Sequence, residues 1–117
     1  MYQGSTPTIP IKFKNIDLSN ARIYLTIQDA RNDETLTLVS GVDFNVIFDD
    51  TDTIGDIYLT QEQTLNMNPG TCTVQAKWVF PDETTGVSKK SSLLVKDVIN
   101  KDVISYGEEL WLLRLQD

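Results

Sequence analysis

The side chains with the most chemical potential in this chain are the carboxylates of residues 49–56, which read DDTDTIGD. Hard cations prefer several carboxylate oxygens, and Gly55 lies five residues after Asp50, as in a helix-loop-helix calcium loop. The pattern then fails, because Ile54 and Gln61 stand where that loop needs further oxygen ligands. We therefore predict a solvated hairpin tip and no metal site, with a non-standard calcium site as the alternative.

Other residue types that usually carry catalysis are missing or scattered. The sequence contains no histidine, which excludes histidine-based triads and histidine metal sites. A pair of carboxylates could act as a glycosidase dyad only in a cleft that holds one acid in a less polar pocket, and the acids here fall in loops. The six glycines are scattered singly, so no phosphate-binding loop is visible. We predict a non-enzymatic protein with no catalytic residue and no cofactor.

Two single residues have both a structural and a functional interpretation. Cys72 is the one cysteine, so an intrachain disulfide is impossible and a buried free thiol is expected, with a reactive or intermolecular thiol as the alternative. Trp78 could stack on a sugar, but it alternates in phase with Cys72, Val74 and Ala76. This phase predicts that the tryptophan belongs to the core.

Composition limits the partners. The 117 residues include 17 acidic and 10 basic side chains, a formal charge of −7 that repels phosphate backbones and anionic lipid. We therefore expect no nucleic acid partner, and Lys89 and Lys90 are interpreted as a solvated strand surface. No apolar run approaches the roughly 20 residues that span a bilayer, so no membrane association is expected. Residues 1–7 lack the features of a signal peptide, which with the unpaired cysteine fits a reducing cytoplasm.

The elements that hold these residues follow a period of two. Apolar and polar residues alternate over residues 71–80, which predicts a ten-residue strand with one dry face. The fold class is therefore all-β, an immunoglobulin-like sandwich of about seven strands with one short helical turn, over residues 1–106. The predicted strands are residues 8–14, 21–28, 35–39, 43–48, 56–60, 71–80 and 87–96.

Local signals refine this picture. Pro10, followed by Lys12 and Lys14, predicts that the first strand lies at a sheet edge. Thr60 and Gln63 match a capping box, which predicts one helical turn. In the fourth strand the alternation predicts buried Phe44, Val46 and Phe48, with an acidic loop over residues 49–55. Residues 98–99 and 103–104 could extend the strand after the long one or form a short edge strand.

The C-terminal residues 107–117 break the alternating pattern and form a separate predicted segment. Five large apolar residues occur in the ten positions 108–117, which would favour aggregation unless the segment docks somewhere. The segment is either a last strand on its own core or an arm that packs on a neighbouring subunit. In the second case the partner interface consists of Leu110, Trp111, Leu112, Leu113 and Leu115, and the lysine-bearing first strand is a second candidate surface.

The order of segments resembles a phage protein family. The most specific piece is the Leu-Thr-Gln-x-x-Thr-Leu segment at residues 59–65, followed by Val74 and Gln75 in a long strand. It is similar to the amino-terminal domain of phage baseplate upper proteins and to small tail or baseplate proteins of phages and prophages of Gram-positive bacteria. The resemblance spans about residues 6–106 and lacks the extension of the longer members.

The resemblance implies a function without chemistry. It implies a structural protein of the virion, assembled in the cytoplasm of the bacterial host, whose partners are other phage structural proteins, with a homo-oligomer as one form. It implies no catalytic residue. The alternative is a surface carbohydrate-binding or adhesion module with the same fold, because a sandwich alone does not decide function.

Overall fold

A computed structural model of the chain describes residues 1–31 and 35–106. In this part of the chain, two antiparallel sheets pack face to face, which confirms the predicted all-β sandwich. It has eight strands, one more than the approximate prediction. The elements are β1 (Thr8–Phe13), β2 (Arg22–Gln28), β3 (Thr35–Val39), β4 (Val46–Asp49), β5 (Asp52–Tyr58), α1 (Gln61–Leu65), β6 (Gly70–Val79), β7 (Thr85–Val87) and β8 (Ser91–Val95).

The smaller sheet has the order β1-β5-β4, so β1 lies at an edge as Pro10 predicted. Leu59 donates from its backbone nitrogen to the Pro7 carbonyl at 3.3 Å, one step beyond the paired strands. Hydrogen-bonded pairs alternate in an antiparallel ladder, so Thr8, Pro10 and Lys12 direct their backbone groups to the free side. The missing amide of proline therefore costs the sheet no hydrogen bond.

The larger sheet is built around β6, the long strand predicted from the alternation. β2 and then β3 pair along one side of β6, while β7 and β8 share the other side. The prediction of one continuous strand over residues 87–96 is wrong, because this part of the chain belongs to two separate strands, the end of β7 and all of β8. Ser88 separates them: its amide donates to the Ala76 carbonyl at 2.8 Å and its hydroxyl accepts from the Ala76 amide at 2.9 Å.

The acidic segment after β4 is shorter than the predicted loop over residues 49–55. β5 already begins at Asp52, and only Asp50 and Thr51 lie between the paired Asp49 and Asp52. Asp50 has φ of 61°, a left-handed conformation that aspartate tolerates better than most residues. The prediction of a β4–β5 hairpin is confirmed, and the predicted long loop is wrong.

The core lies between the central strands of the two sheets. Leu18 and Thr53 are fully buried, and the Thr53 hydroxyl accepts from the Leu18 amide and donates to the Ile16 carbonyl, each at 2.8 Å. Phe44 is buried as predicted, but Phe48 is 42% exposed, so its predicted burial is wrong. The remaining buried apolar side chains are Ile23, Leu25, Ile27, Leu38, Ile57, Leu59, Met67, Cys72, Ala76 and Val95.

Helix α1 begins with the predicted capping box. The Gln63 amide donates to the Thr60 hydroxyl at 3.1 Å, and the Thr60 amide donates to the Gln63 side-chain oxygen at 2.9 Å. These bonds satisfy two backbone donors at the start of the helix. Within the described residues, no helix is long and apolar enough to cross a membrane.

Residues after β8 form no further strand up to residue 106, so the predicted strand at 98–99 or 103–104 is wrong. The chain terminus at Met1 covers the end of β8 instead: its amino group donates to the Leu94 carbonyl at 2.7 Å, and its carbonyl accepts from the Lys96 amide at 2.7 Å. The predicted segment 107–117 lies outside the described residues.

Candidate protein-binding cleft

A cleft of about 700 Å³ opens between the two sheets where edge strand β1 faces β8. We call it the β1–β8 cleft. Its floor includes buried Leu25 and Ala76, from the central strands of the larger sheet. The apolar side chains that line its walls are Ile9, Ile11, Phe13, Ile16, Val74, Trp78 and Leu93.

All of the wall residues are only partly buried, although they pack against the core. The alternation along β1 and β6 directs them toward the sandwich interior, yet the two sheets do not close over them. Half-exposed apolar side chains that converge on one concave surface are typical of sites that bind apolar groups of another molecule. The cleft is therefore the best candidate for a binding site in the described part of the chain.

Trp78 forms one end of this cleft. Its ring meets Phe13 edge to face, with centroids 5.8 Å apart and planes inclined by 78°. Behind it lies Gly86 of β7, where a Cβ atom would come within 2.6 Å of the indole Cζ2. Glycine thus lets the indole lie against β7. The prediction that Trp78 packs with the core is confirmed, and the ring also lines the cleft.

Lysines surround the mouth of the cleft in a protein whose formal charge is −7. Lys12 of β1, Lys14 just after β1 and Lys89 before β8 all line it. Lys12 also forms a half-exposed ion pair with Asp52, with nitrogen and oxygen 3.4 Å apart. This pair is screened by solvent and contributes little to stability. Lys14 and Lys89 give the mouth a local positive charge that an acidic partner segment would complement.

A second concave surface lies on the outer face of the smaller sheet. Its volume is about 870 Å³, and Pro10, Ile47, Ile54 and Tyr58 contribute to its lining beside Asp56. Tyr58 is 65% exposed. This surface lies on the opposite face of the smaller sheet from the β1–β8 cleft.

Asp52, one of the carboxylates considered for metal binding, has other partners. Asp52 accepts from the Asn15 amide at 2.9 Å, and this hydrogen bond is the main cause of the lowered pKa of the Asp52 carboxyl; desolvation opposes it, and Thr51 and Lys12 lower the pKa further by smaller amounts. Among the described residues, no group of three or more cysteine or acidic side chains is placed to hold a metal ion. The acidic turn therefore offers no metal-ligand set in this part of the chain.

Cys72 is a buried free thiol, as predicted. Burial raises the pKa of the thiol, and the negative charge of Asp29 raises it further, while a backbone hydrogen bond at Ala30 acts in the opposite direction. A thiol held neutral and shielded is a poor nucleophile. Its role in the fold is that of a small apolar side chain between β6 and the smaller sheet.

The predicted interface residues, Leu110, Trp111, Leu112, Leu113 and Leu115, lie outside the described residues. The chain that leads to them is described: Ile104 is held by Gln61, whose side chain donates to the Ile104 carbonyl at 2.8 Å and accepts from its amide at 3.1 Å. Ile99, Val103 and Tyr106 are exposed nearby. The approach to the segment thus exposes three apolar side chains among polar ones.

Sequence reasoning identified β1 as a candidate surface but missed the cleft behind it. Alternation shows that Ile11 and Trp78 face inward, and it contains no information on how far the opposite sheet extends over them. Comparisons of the chain with protein-family models, with curated proteins and with solved structures found no match.

Proposed function

We propose that this chain is a non-enzymatic structural protein of a phage or prophage virion, a tail or baseplate assembly module that acts through protein-protein contacts. The observation that carries this proposal is the β1–β8 cleft, whose apolar walls stay half-exposed although they are continuous with the core. Such a surface is suited to receive apolar side chains of another subunit.

The exposed apolar residues between β8 and residue 106 support the same function. Ile99, Val103 and Tyr106 precede the five large apolar residues of the C-terminal segment, so apolar character continues along the chain. A monomer in water gains nothing from such a surface, whereas an assembled particle covers it. The partners on this proposal are other phage structural proteins, and copies of the chain itself.

The phage assignment rests on the resemblance of residues 59–65 and of Val74 and Gln75. In the structure, residues 59–65 run from the end of β5 through the capping box into α1, and Val74 and Gln75 lie in the long strand β6. The proposed location is the virion, after assembly in the host cytoplasm. An immunoglobulin-like domain there serves as a scaffold that presents docking surfaces.

The first experiment measures the solution mass of the full chain by light scattering over a concentration series, beside a chain that ends at Gly107. We expect a defined oligomer for the full chain and a folded monomer for the truncated one. Circular dichroism separates loss of association from loss of folding. A truncated chain that no longer folds would assign residues 108–117 to the domain's own core.

The phage part of the proposal has its own test. Particles purified after induction of the source bacterium are digested and their peptides identified by mass spectrometry. Peptides of this chain at a fixed ratio to the major tail proteins are expected. Purified tailed particles that lack the chain, while the host lysate contains it, would contradict a virion location.

The outer cavity of the smaller sheet favours a second candidate function, that of a carbohydrate-binding or adhesion module. Exposed Tyr58 beside Asp56 combines an aromatic face with a hydrogen-bond acceptor, and this combination suits the binding of a sugar ring. A glycan array distinguishes the two functions: binding that is lost in Tyr58→Ala and kept in Tyr24→Ala, another exposed tyrosine, would favour this alternative.

A further inference from the structure

We propose that the β1–β8 cleft receives the C-terminal residues 110–115 of a second copy of this chain, so that copies join head to tail. The inference rests on the proposed function and adds to it the receiving surface and the identity of the partner segment.

Dimensions agree with this pairing. Residues 110–115 would span about 20 Å in extended form, at roughly 3.3 Å per residue. β1, which forms one wall of the cleft, also has six residues. Five of the six residues of the segment are large and apolar, and the cleft offers apolar walls with Ile11 and Leu93 on opposite sides and Trp78 at one end.

Charges agree as well. Lys14 and Lys89 lie at the mouth of the cleft, whereas Lys12 is on the outward phase of β1 and pairs with Asp52. The segment contains one basic residue, Arg114, and is flanked by Glu108 and Glu109 before it and by Asp117 after it, so acidic residues predominate over residues 108–117. Opposite charges on either side of an apolar contact favour one orientation and raise the rate of encounter. Elsewhere on a protein of net charge −7, an acidic segment would be repelled.

Side chains, not a new strand pairing, carry this contact. β1 directs the backbone groups of Thr8, Pro10 and Lys12 to its free side, and Pro10 has no amide to donate. A proline in the middle of an edge and neighbouring lysines both oppose addition of another strand. The leucines and Trp111 of the incoming segment would instead insert between the two sheets.

The exposed residues before the segment favour a second copy over the same chain. Tyr106 is 78% exposed and Ile99 is fully exposed, so these two side chains do not pack on their own domain, although Gln61 holds the backbone of Ile104 there. If the segment returned to its own cleft, these side chains would stay in water. A neighbouring copy that receives the segment can cover them in the same interface, which makes the intermolecular contact the more favourable one.

Complementation between two full-length variants tests the pairing. Ile11→Asp places a charge in the wall of the cleft and leaves the segment intact, while Leu112→Asp does the reverse. We expect each variant alone to be monomeric, with a dissociation constant raised about a hundredfold or more. An equimolar mixture should form a 1:1 dimer and nothing larger, because only one intact cleft and one intact segment remain. Lys77→Asp, on the exposed face of β6, is the matched control and should associate as the unchanged chain does.

Disulfide trapping provides a readout that does not depend on a disruptive charge. Ser91 of β8 lines the cleft and is exposed, and buried Cys72 does not compete. A Ser91→Cys chain is mixed with isotope-labelled chains that carry Leu110→Cys, Leu113→Cys or Leu115→Cys. At least one mixture should give a mixed disulfide dimer by mass spectrometry, and the same mixtures with Lys77→Cys in place of Ser91→Cys should not.

The outcomes separate the inference from the proposed function. An unchanged chain that associates, and keeps associating as Ile11→Asp, overturns the cleft as receiver and leaves the assembly function standing. A Ser91→Cys and Leu113→Cys double variant that forms only an intrachain disulfide overturns the second copy as partner. A chain that is monomeric at every concentration overturns the inference, while peptides of the chain in purified particles would still support the virion location.

Discussion

The sandwich has two lateral openings between its sheets, and they are closed to very different degrees. On one side the chain passes from β3 of the larger sheet to β4 of the smaller sheet, and Phe44 on this connection is only 4% exposed. On the other side β1 and β8 face each other without a direct connection, and Ile11 and Leu93 remain half-buried. Packing is complete where the chain itself crosses between the sheets.

The difference shows where a small β-sandwich can hold a binding site without weakening its core. Leu18, Ile23 and Ile57, on or near the central strands, are at most 1% exposed and supply stability. Ile9 and Ile11 of β1 lie one strand further out and are accessible from the cleft. A partner that enters there extends the core, which is a stronger basis for a specific contact than an isolated surface patch.

The largest expected effect compares one isoleucine from each region. Ile57→Ala should lower the free energy of unfolding by about 2–5 kcal/mol, because it leaves a cavity in a fully packed site. Ile11→Ala should cost only about 1–2 kcal/mol, since part of the side chain is already in water. Urea denaturation of both variants, followed by circular dichroism below the concentration at which the chain associates, gives the comparison. Equal losses would show that the cleft is closed in solution.

The same contrast explains what the sequence could predict. Alternation in residues 71–80 and in β2 predicted strands and their dry faces, and Thr60 with Gln63 predicted the start of α1, because each of these signals is local. Phe48 was predicted to be buried and is not. It shares a face of the smaller sheet with buried Thr53, but it lies on edge strand β4, beyond the cover of the larger sheet.

The cleft is absent from the prediction for a related reason. Where β1 stands relative to β8 depends on how the two sheets overlap, and no neighbouring residues in the chain encode that overlap. Pro10 and Lys12 marked a sheet edge correctly because the requirement for an outward-facing proline is local. They did not show that Trp78 and Leu93 are left partly uncovered behind that edge.

A buried hydrogen bond gives the next largest effect and tests the closed part of the core. In Thr53→Val the shape of the side chain is kept, while the Leu18 amide loses its acceptor and the Ile16 carbonyl its donor. We expect a loss of about 2 kcal/mol in the free energy of unfolding. Thr51→Val, on the exposed β4–β5 turn, is the control and should change it by less than about 0.5 kcal/mol. A small loss at Thr53 would mean that water enters this region and replaces the hydroxyl.

Gly86→Ala tests the position of Trp78 in the cleft, because Gly86 packs against the indole on the side away from the cleft. The new methyl group would overlap the indole of Trp78, so the ring must move toward the cleft and its contact with Phe13 must change. We expect a loss of about 1–2 kcal/mol in the free energy of unfolding. In a Trp111→Phe background, Trp78 is the single tryptophan, and its fluorescence should shift to longer wavelength as it becomes more exposed. An unshifted emission would indicate that β7 moves and the ring stays.

The smallest expected effect compares two thiols, one from each region. In a Cys72→Ala background, Ser91→Cys places a thiol at the mouth of the cleft, where it should react with a disulfide reagent in the folded protein. Cys72 itself should react only as the protein unfolds, since it is buried and its pKa is raised. Rapid labelling of Cys72 at neutral pH would show that the closed region opens readily.

The raised pKa of Cys72 also has a consequence for stability, with a definite sign. The Cys72 thiol holds its proton more tightly in the folded state than in the unfolded chain, where the pKa of a cysteine thiol is about 8.5. The stability that the neutral thiol contributes is therefore complete below that pH and is lost as the pH rises through the folded-state pKa. Urea denaturation between pH 7 and pH 10 should thus show a steeper decline for the unchanged chain than for Cys72→Ala, because the two chains differ only in this thiol. Parallel curves would mean that the folded state ionises this thiol as easily as the unfolded one, and the contrast between a sealed core and an open cleft would no longer hold at this position.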